Sequence, residues 1–386
     1  MVSKSSMDRS AMPEELKLLL SIVGIEHAPH LPAQIVKSAN IEWNYFIELT
    51  RHHRVFPLIF MNGSKIQGLF PGPVEKVLHQ DYMANTFQML HMCAEMQKIC
   101  IEFEKSGIRS LHVKGPLLAE RLYGDISLRT CKDMDILVPE SDLKLAEAAL
   151  RNEGYLPSRP DPATVLSKSR EHHLSYIHPQ KKIQIELHWR LNWKTWSEPS
   201  FDELWAGKQT ILFKGVPVHS LGGEDLFLSL TTHGARHGWL RLRWLSDIDK
   251  LMSGKHQLRL DWKRTIQLLS EYRLQHIGAQ ALLLTSGLFG TPVHDQLHEL
   301  KPNRKSYLLA KLASEYIQGR KTHQYSLSLV NGLDKLKYIV HIFEPKRYDM
   351  EMLLLPRGLR WLYIPLRPLF YIKRKLLKRQ RLTREM

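Results

Sequence analysis

Two aspartates placed two residues apart are the first feature of this sequence that could do chemistry. Asp133 and Asp135 open the segment 133–138, whose alternating apolar residues predict a strand. Because side chains alternate across a strand, both carboxylates point to one face and the apolar residues to the other. Carboxylates held in this way suit a divalent cation such as Mg²⁺. The pair alone is a weak signal, since most aspartates on strands are simply solvated.

A later strand supplies a third carboxylate. The run 182–189 also alternates, which puts Glu186 and His188 on the face opposite its apolar residues. Together with the preceding extended run, 172–178, it predicts an antiparallel hairpin. Asp133, Asp135 and Glu186 are therefore the candidate catalytic residues and the candidate metal ligands.

The stretch before the aspartates reads as a strand, a glycine turn and a helix. The predicted strand 108–113 is followed by Lys114 and Gly115, and Pro116 suits the first position of a helix. A glycine lets the backbone approach an anion closely, and the N-terminus of a helix attracts one. Lys114, Gly115 and, further on, Arg129 are therefore the candidate ligands of a nucleoside triphosphate.

In a phosphoryl or nucleotidyl transfer, histidines could act on the substrate that accepts the transferred group. His172 and His188 are expected near the acids on the sheet, where an imidazole could act as a base. His233 and His237 are four residues apart on a predicted helix, but the sequence shows neither a third zinc ligand nor the Glu of a His-Glu-x-x-His site. We therefore interpret His237 as part of a basic cleft between the core and the helical domain, where positive charge would meet a triphosphate or an acidic acceptor. The other residues of this cleft are Arg236, Arg241 and Arg243.

Helices flank these segments on both sides. Helical signals begin at Pro13, and a long apolar repeat over 73–106 predicts one helix that ends at Gly107. The methionines of this repeat are interpreted as core packing. Beyond Leu221 the sequence again reads as helices.

This pattern predicts an α+β protein with N-terminal helices, a mixed-sheet core and a helical C-terminal domain. The predicted parts are an N-terminal helical subdomain over 1–75, the core over 76–220, the helical domain over 221–356 and a basic tail over 357–386.

Composition is that of a folded protein, with 386 residues, of which 43% are hydrophobic and 24% are charged. The three cysteines are odd in number and lack Cys-x-x-Cys spacing, which indicates neither a disulfide framework nor a cysteine zinc site. A reducing cytoplasm is the expected location. The N-terminus also lacks the apolar run of a signal peptide.

The net charge of +16 is concentrated at the C-terminus, where 357–386 carries ten Lys and Arg against one Glu. The rest is mildly basic, as suits a protein that handles phosphorylated ligands. Within the tail, 369–379 alternates apolar residues with cations on a helical spacing. This predicts either a weak contact with an anionic membrane or nucleic acid, or a solvated terminal helix.

Several blocks of this sequence resemble the bacterial uncharacterised nucleotidyltransferase family of the DNA polymerase β-like superfamily. The resemblance extends over roughly residues 40 to 350 and is carried by Lys114-Gly115-Pro116-Leu117-Leu118-Ala119, Arg129, Asp133-Met134-Asp135-Ile136-Leu137-Val138, Glu186-Leu187-His188-Trp189, His233-Gly234-Ala235-Arg236-His237 and Arg243-Trp244-Leu245-Ser246-Asp247-Ile248.

The resemblance implies a polymerase-β-like core that moves a nucleoside monophosphate from an NTP and releases pyrophosphate. It implies Mg²⁺, or Mn²⁺ in its place, on Asp133, Asp135 and Glu186. The implied acceptor is a hydroxyl or phosphate on a small molecule or a tailored peptide. Pro116 departs from the small residue that the superfamily often has after the turn glycine, and it removes one N–H from the loop.

A second interpretation stays open at this level. A nucleic-acid or membrane-associated binding protein with a degenerate NTP site would also keep the basic tail. The presence of all three acids favours catalysis.

Overall fold

The computed structural model describes residues 9–158, 172–192, 196–254, 258–320, 324–329, 335, 353, 355–363 and 365–370. The chain divides into two compact units, 1–325 and 326–386. In the smaller unit, Arg357–Leu362 form a 3₁₀ helix. The residues 371–386 of the predicted tail lie outside the described residues.

The larger unit begins with helices and then enters a sheet. Its first half contains α1 (Glu14–Val23), α2 (Leu31–Ser38), α3 (Trp43–His53), α4 (Phe56–Gly63), α5 (Gly72–Lys105), β1 (Leu111–His112), α6 (Pro116–Tyr123), β2 (Asp133–Leu137), α7 (Leu143–Asn152), β3 (Leu156–Pro157), β4 (His173–Ile177) and β5 (Gln184–His188).

The second half completes the sheet and ends in helices. It contains α8 (Phe201–Ala206), β6 (Gln209–Phe213), β7 (Val216–Ser220), α9 (Gly223–Arg236), α10 (Leu242–Ser253), α11 (Trp262–Glu271), α12 (Gln275–Phe289), α13 (His294–Leu300) and α14 (Arg304–Ile317), and a further helix follows at Gln324–Leu329. None of the described helices is long and apolar enough to cross a membrane.

The strands form one seven-stranded sheet in the order β3-β4-β5-β2-β1-β7-β6. The pairs β2–β5 and β1–β7 are parallel, and the other neighbours are antiparallel. The predicted α+β class with a mixed sheet is therefore confirmed, as is the hairpin of β4 and β5. The sheet places β2 and β5 side by side at its centre.

One face of the sheet packs on α5 and α7. Met134 and Ile136 of β2 and Ile185 and Leu187 of β5 are fully buried in the same apolar cluster as the inner side of α5. This follows from the alternation in the sequence, because the apolar residues take one face and leave the acids on the other.

The long helix forms over nearly the predicted range, but its apolar residues divide between two sides. Met89, Met92 and Met96 are buried, as the core interpretation requires. Met83, by contrast, is 37% exposed, and Phe87 is 66% exposed. The core interpretation of the methionines is wrong for Met83, because a helix with apolar residues on two sides can bury only one side on the sheet.

The hairpin of β6 and β7 was not predicted from the sequence. Its two-residue turn, Lys214-Gly215, has positive φ at both positions (48° and 89°), as a tight β-hairpin turn requires. The signal was present as a Lys-Gly pair between two alternating runs. This hairpin supplies β7, which pairs with β1 next to the glycine turn.

The N-terminal helices contact the C-terminal helices inside the larger unit. His27 follows α1 and Asp249 lies on α10, and His27 Nε2 is 2.8 Å from Asp249 Oδ1. Gly24 lies so close to α12 that a Cβ there would be 2.5 Å from the carbonyl oxygen of Phe289. These contacts join the predicted N-terminal helical subdomain, 1–75, to the predicted helical domain, 221–356.

Candidate active site

Two of the predicted acids meet across a parallel strand pair. In the register of β2 and β5, Asp135 lies opposite Glu186, and Asp133 lies two residues earlier on the same face. Asp135 is only 5% exposed, and Glu186 is partly buried. The apolar residues between the acids are anchored in the core, so the carboxylates are held on rigid strands rather than on loops.

Lys114 and His188 balance the charge of Asp135. Lys114 Nζ lies 3.4 Å from Asp135 Oδ2, and His188 Nε2 lies 2.9 Å from Oδ1. Burial by itself would raise the pKa of Asp135, but Lys114 and the hydrogen bond from His188 outweigh it and hold the pKa well below its usual range. Asp135 is therefore an anion at neutral pH.

His188 connects the two carboxylates. Its Nε2 also lies 3.5 Å from Glu186 Oε2. Burial lowers the pKa of His188, but its hydrogen bonds to Asp135 and Glu186 more than compensate, so the pKa lies above the usual range. His188 is therefore an electrostatic partner of the acids rather than a free base.

Asp133 has the opposite electrostatic environment. Burial raises its pKa to about 6, with help from the negative charges of Asp135 and Glu186, while Lys114 opposes the change. A cation placed among these three carboxylates would relieve that repulsion. The structure thus brings the three predicted acids to one face and leaves Asp133 as the one whose charge is least compensated.

The glycine turn lies directly against β2. The backbone N–H of Val113 donates to the carbonyl of Asp135 at 3.0 Å, which fixes the position of the following Lys114. Gly115 has φ of +111° and ψ of −158°, a conformation essentially restricted to glycine, and Pro116 starts α6 immediately after it. The predicted turn and helix are therefore present, and the helix N-terminus opens beside the acids.

Arg129 does not extend into this site. Its Nε and Nη2 donate to the two carboxylate oxygens of Asp247 on α10, at 2.8 and 2.9 Å. Both side chains are almost fully buried, and the hydroxyl of Tyr123 donates to the same carboxylate at 2.9 Å. This geometry does not support the prediction that Arg129 binds the triphosphate, because its guanidinium already binds both carboxylate oxygens of Asp247. The ion pair instead joins the loop before β2 to α10.

Of the predicted acceptor-side histidines, His172 lies beside His173 and His188. The ring centroids of His172 and His188 are 5.5 Å apart, and His173 stacks on His188 at 4.8 Å. Burial lowers the pKa of His172 to about 2 and that of His173 to about 4. Both imidazoles are therefore neutral at pH 7.

The third predicted histidine, His237, lies just after α9. Its ring packs at 4.8 Å from His233 and stacks at 5.1 Å on Trp244. Burial lowers its pKa to about 4. Arg236 contacts both His172 and His237. Its guanidinium lies 2.9 Å from His172 Nε2 and 3.5 Å from His237 Nε2.

Two residues of this face, His173 and His233, were missing from the predicted site, whereas Arg236 belongs to the predicted basic cleft. His173 pairs with His188 in the register of β4 and β5, and His233 Nδ1 lies 3.1 Å from Lys114 Nζ. Arg236 contacts His172, as described above. The spacing of His233 and Arg236 on one helix was visible in the sequence, but the approach of that helix to the strands is a tertiary contact that spacing does not give.

The donor atoms of this face fit a divalent cation. Asp135, Glu186 and His188 each offer a ligand atom, and these atoms lie within 4.8 Å of one another. A hard cation such as Mg²⁺ prefers carboxylate oxygens completed by water and phosphate. Asp133, whose pKa is raised by burial and by the nearby negative charges, lies on the same face.

A second group, His172, His173 and His188, also has its ring nitrogens within 4.8 Å. The rings of His173 and His188 are stacked with only 29° between their planes. Rings stacked in this way cannot both place one ion in their planes, so this group is a weaker candidate for a metal.

Comparison with known proteins identifies the family. A family model described as an uncharacterised nucleotidyltransferase matches residues 39–290, which is more than half of the chain. No curated protein and no solved structure shows a significant match. The chain therefore belongs to the uncharacterised nucleotidyltransferase family, and the predicted family and enzyme class are confirmed.

Proposed function

We propose that this nucleotidyltransferase moves a nucleoside monophosphate from an NTP to a hydroxyl or phosphate acceptor in a Mg²⁺-dependent reaction. The observation that carries the proposal is the pairing of Asp135 with Glu186 on adjacent parallel strands, with Asp133 on the same face and Lys114 at 3.4 Å from Asp135. A cluster of acids beside a glycine turn and a helix N-terminus suits both a cation and a triphosphate.

In this proposal Asp133, Asp135 and Glu186 hold the divalent cation, with Mn²⁺ as an alternative to Mg²⁺. When bound, the cation supplies neutralising charge at the phosphate oxygens. Strand placement keeps the three carboxylates in position before substrate arrives, so little reorganisation is required during the reaction. The rigid apolar side of β2 and β5 provides this support.

Lys114 and Gly115 bind the triphosphate. Lys114 brings a positive charge to the edge of the acids, and Gly115 lets the backbone approach phosphate oxygens at the start of α6. The acceptor oxygen forms a bond to the α-phosphorus, the bond to the β-phosphate breaks, and pyrophosphate leaves with the electron pair. A hydroxyl acceptor releases its proton to water.

His172 and His237 bind the acceptor in this scheme. Their low pKa values keep both rings neutral at pH 7, so each is suited to a hydrogen bond with a hydroxyl rather than to strong base catalysis. His188 keeps the two carboxylates of Asp135 and Glu186 in register.

We further propose that the mixed sheet is a polymerase-β-like nucleotidyltransferase core acting in the cytoplasm. The acceptor class that we favour is a small molecule or a tailored peptide. Contact of the basic tail with anionic membranes or nucleic acid remains a separate proposal, supported by the charge of 357–386 alone.

The first test measures pyrophosphate release with each NTP, Mg²⁺ or Mn²⁺, and panels of small-molecule, peptide and RNA acceptors. Asp135→Asn and Glu186→Gln are expected to lower kcat by at least about 10²-fold, because they remove charge from the site that positions the phosphates. Lys114→Met is expected to weaken NTP binding. A mass spectrum of the product identifies the transferred group and the base.

Matched controls come from groups that lie away from this face. Asp295→Asn removes a carboxylate from a 94% exposed side chain, and Lys214→Met removes a lysine whose ion pair is at the surface. Both controls should keep full activity. Unchanged turnover in Asp135→Asn with the fold intact would show that the acids are not the catalytic site.

A further inference from the structure

A row of apolar side chains on the outer side of α5 has no role in the sheet or in the proposed reaction. Met83, Phe87, Leu90, Ala94 and Ile101 all lie on this side and are exposed. Phe87 is 66% exposed and Leu90 is 52% exposed, values far from those of core residues. We call these five residues the α5 seam.

The spacing of the seam is that of a coiled coil. From Met83 the intervals are four, three, four and seven residues, which correspond to successive a and d positions of a heptad repeat. The intermediate position is Gln97, whose amide donates to the carbonyl of Lys214 at 2.8 Å in the β6–β7 turn. The seam therefore offers a continuous helix-sized surface from Met83 to Ala94.

A groove runs beside the seam. It has a volume of about 380 Å³, and Phe87, Met92 and Ile183 contribute apolar surface to it. A helix laid along α5 would place one row of its side chains on the seam and a neighbouring row in this groove.

The groove side of this surface is basic. Lys132, Lys181 and Lys182 line the groove, and Lys98 of α5 is exposed on the same side of the seam. Two of these lysines have acidic neighbours, since Lys181 pairs with Glu95 at 2.6 Å and Lys98 pairs with Glu153. Lys132 and Lys182 are exposed and add positive charge beside the apolar row.

We propose that the α5 seam is a docking site for an amphipathic helix of a partner protein, with apolar residues on a heptad spacing and acidic residues on the flank that meets the groove. An apolar row on a heptad spacing suits a helix laid alongside it, and the lysines of the groove set the sign of the charge on the flank that meets them. A second copy of this chain fits less well, because it would bring the same lysines against one another.

The seam lies on the face of the sheet opposite the acids, so this inference is independent of the proposed reaction. The groove nevertheless adjoins the start of β2, where Gln88 Nε2 donates to the carbonyl of Cys131 at 3.1 Å. Docking would therefore take place next to the segment that leads into Asp133.

The test uses a synthetic peptide of about four heptads with leucine at a and d and glutamate at e and g. Its fluorescence anisotropy is titrated with the full-length protein, and the matched peptide has lysine in place of every glutamate. We expect the acidic peptide to bind at least about tenfold more tightly than the basic one. We also expect binding to weaken as the salt concentration rises.

Two variants locate the binding. Phe87→Ser/Leu90→Ser replaces two exposed side chains and should weaken binding of the acidic peptide by at least about tenfold. Leu308→Ser replaces an exposed leucine on α14 and should leave binding unchanged. Circular dichroism checks that each variant is folded.

Three results would overturn the proposal. They are equal affinity for the acidic and basic peptides, binding that survives Phe87→Ser/Leu90→Ser, and sedimentation of the protein alone as a dimer that this double substitution dissociates. The last result would make a second copy the occupant of the seam.

Discussion

At the scale of single residues, the same charged group has different roles according to what surrounds it. Lys114 and Arg129 are both cations near the aspartates in sequence, yet Lys114 lies 3.4 Å from Asp135 whereas Arg129 is bound by Asp247. A buried cation whose partner lies on a distant helix contributes to folding rather than to substrate binding.

We expect Arg129→Met to lower the free energy of unfolding by about 3–5 kcal/mol, because it leaves Asp247 buried without its partner. Denaturation by urea measures this loss. The double variant Arg129→Met/Asp247→Leu should recover part of the loss, since neither member of the ion pair is then buried without the other.

The control for this experiment is Arg109→Met. Arg109 forms an ion pair with Asp202 at 2.8 Å, but both side chains are exposed, so its loss should cost less than about 1 kcal/mol. If Arg129→Met kept full stability and lost only NTP binding, Arg129 would be a phosphate ligand after all.

At the scale of elements, the turn between β1 and α6 brings the Lys114 side chain and the Gly115 backbone to the acids. Glycine is required at position 115 by the backbone conformation rather than by lack of space. An added Cβ would be 3.6 Å from Met134 Cγ, which is an ordinary contact. The sequence could indicate a turn here, but not the φ of +111° that makes glycine necessary.

Gly115→Ala should therefore destabilise the protein by about 2–3 kcal/mol through backbone strain. Gly107→Ala is the matched control. Gly107 ends α5 at φ of +68° with no atom near an added Cβ, and alanine there should cost only about 1 kcal/mol. Equal costs at the two positions, measured by chemical denaturation, would contradict this account of the turn.

At the scale of the whole molecule, several histidines are buried in a neutral state. Burial lowers the pKa of His112 on β1 to about 4 and that of His53 on α3 to about 3. In the unfolded chain the same groups titrate near 6.5. The folded state therefore binds fewer protons than the unfolded state between these values.

The stabilising contribution of each group is present above pH 6.5 and is lost as the pH falls toward the folded pKa. For His112 alone, the free energy of unfolding should fall by about 1 kcal/mol between pH 7.5 and 5.5. His112→Gln should reduce this pH dependence, whereas His91→Gln, at an exposed position, should leave it unchanged. A pH dependence that His112→Gln does not alter would place its origin elsewhere.

The local pattern of the sequence determined much of this protein. The alternation of apolar and polar residues was sufficient to predict β2 and β5, the shared face of Asp133 and Asp135, and the α+β class. Each of these depends on neighbours in the chain, because strand periodicity is a local property. Family membership followed from motifs that are equally local.

Only the tertiary structure decided which charges meet. The register of β2 against β5 placed Asp135 opposite Glu186, and the approach of α9 added His233 to the partners of Lys114. It also bound Arg129 to α10 and left one apolar side of α5 exposed. The reason is physical: sequence spacing determines the direction of a side chain within its own element, whereas partners across elements depend on how whole elements pack.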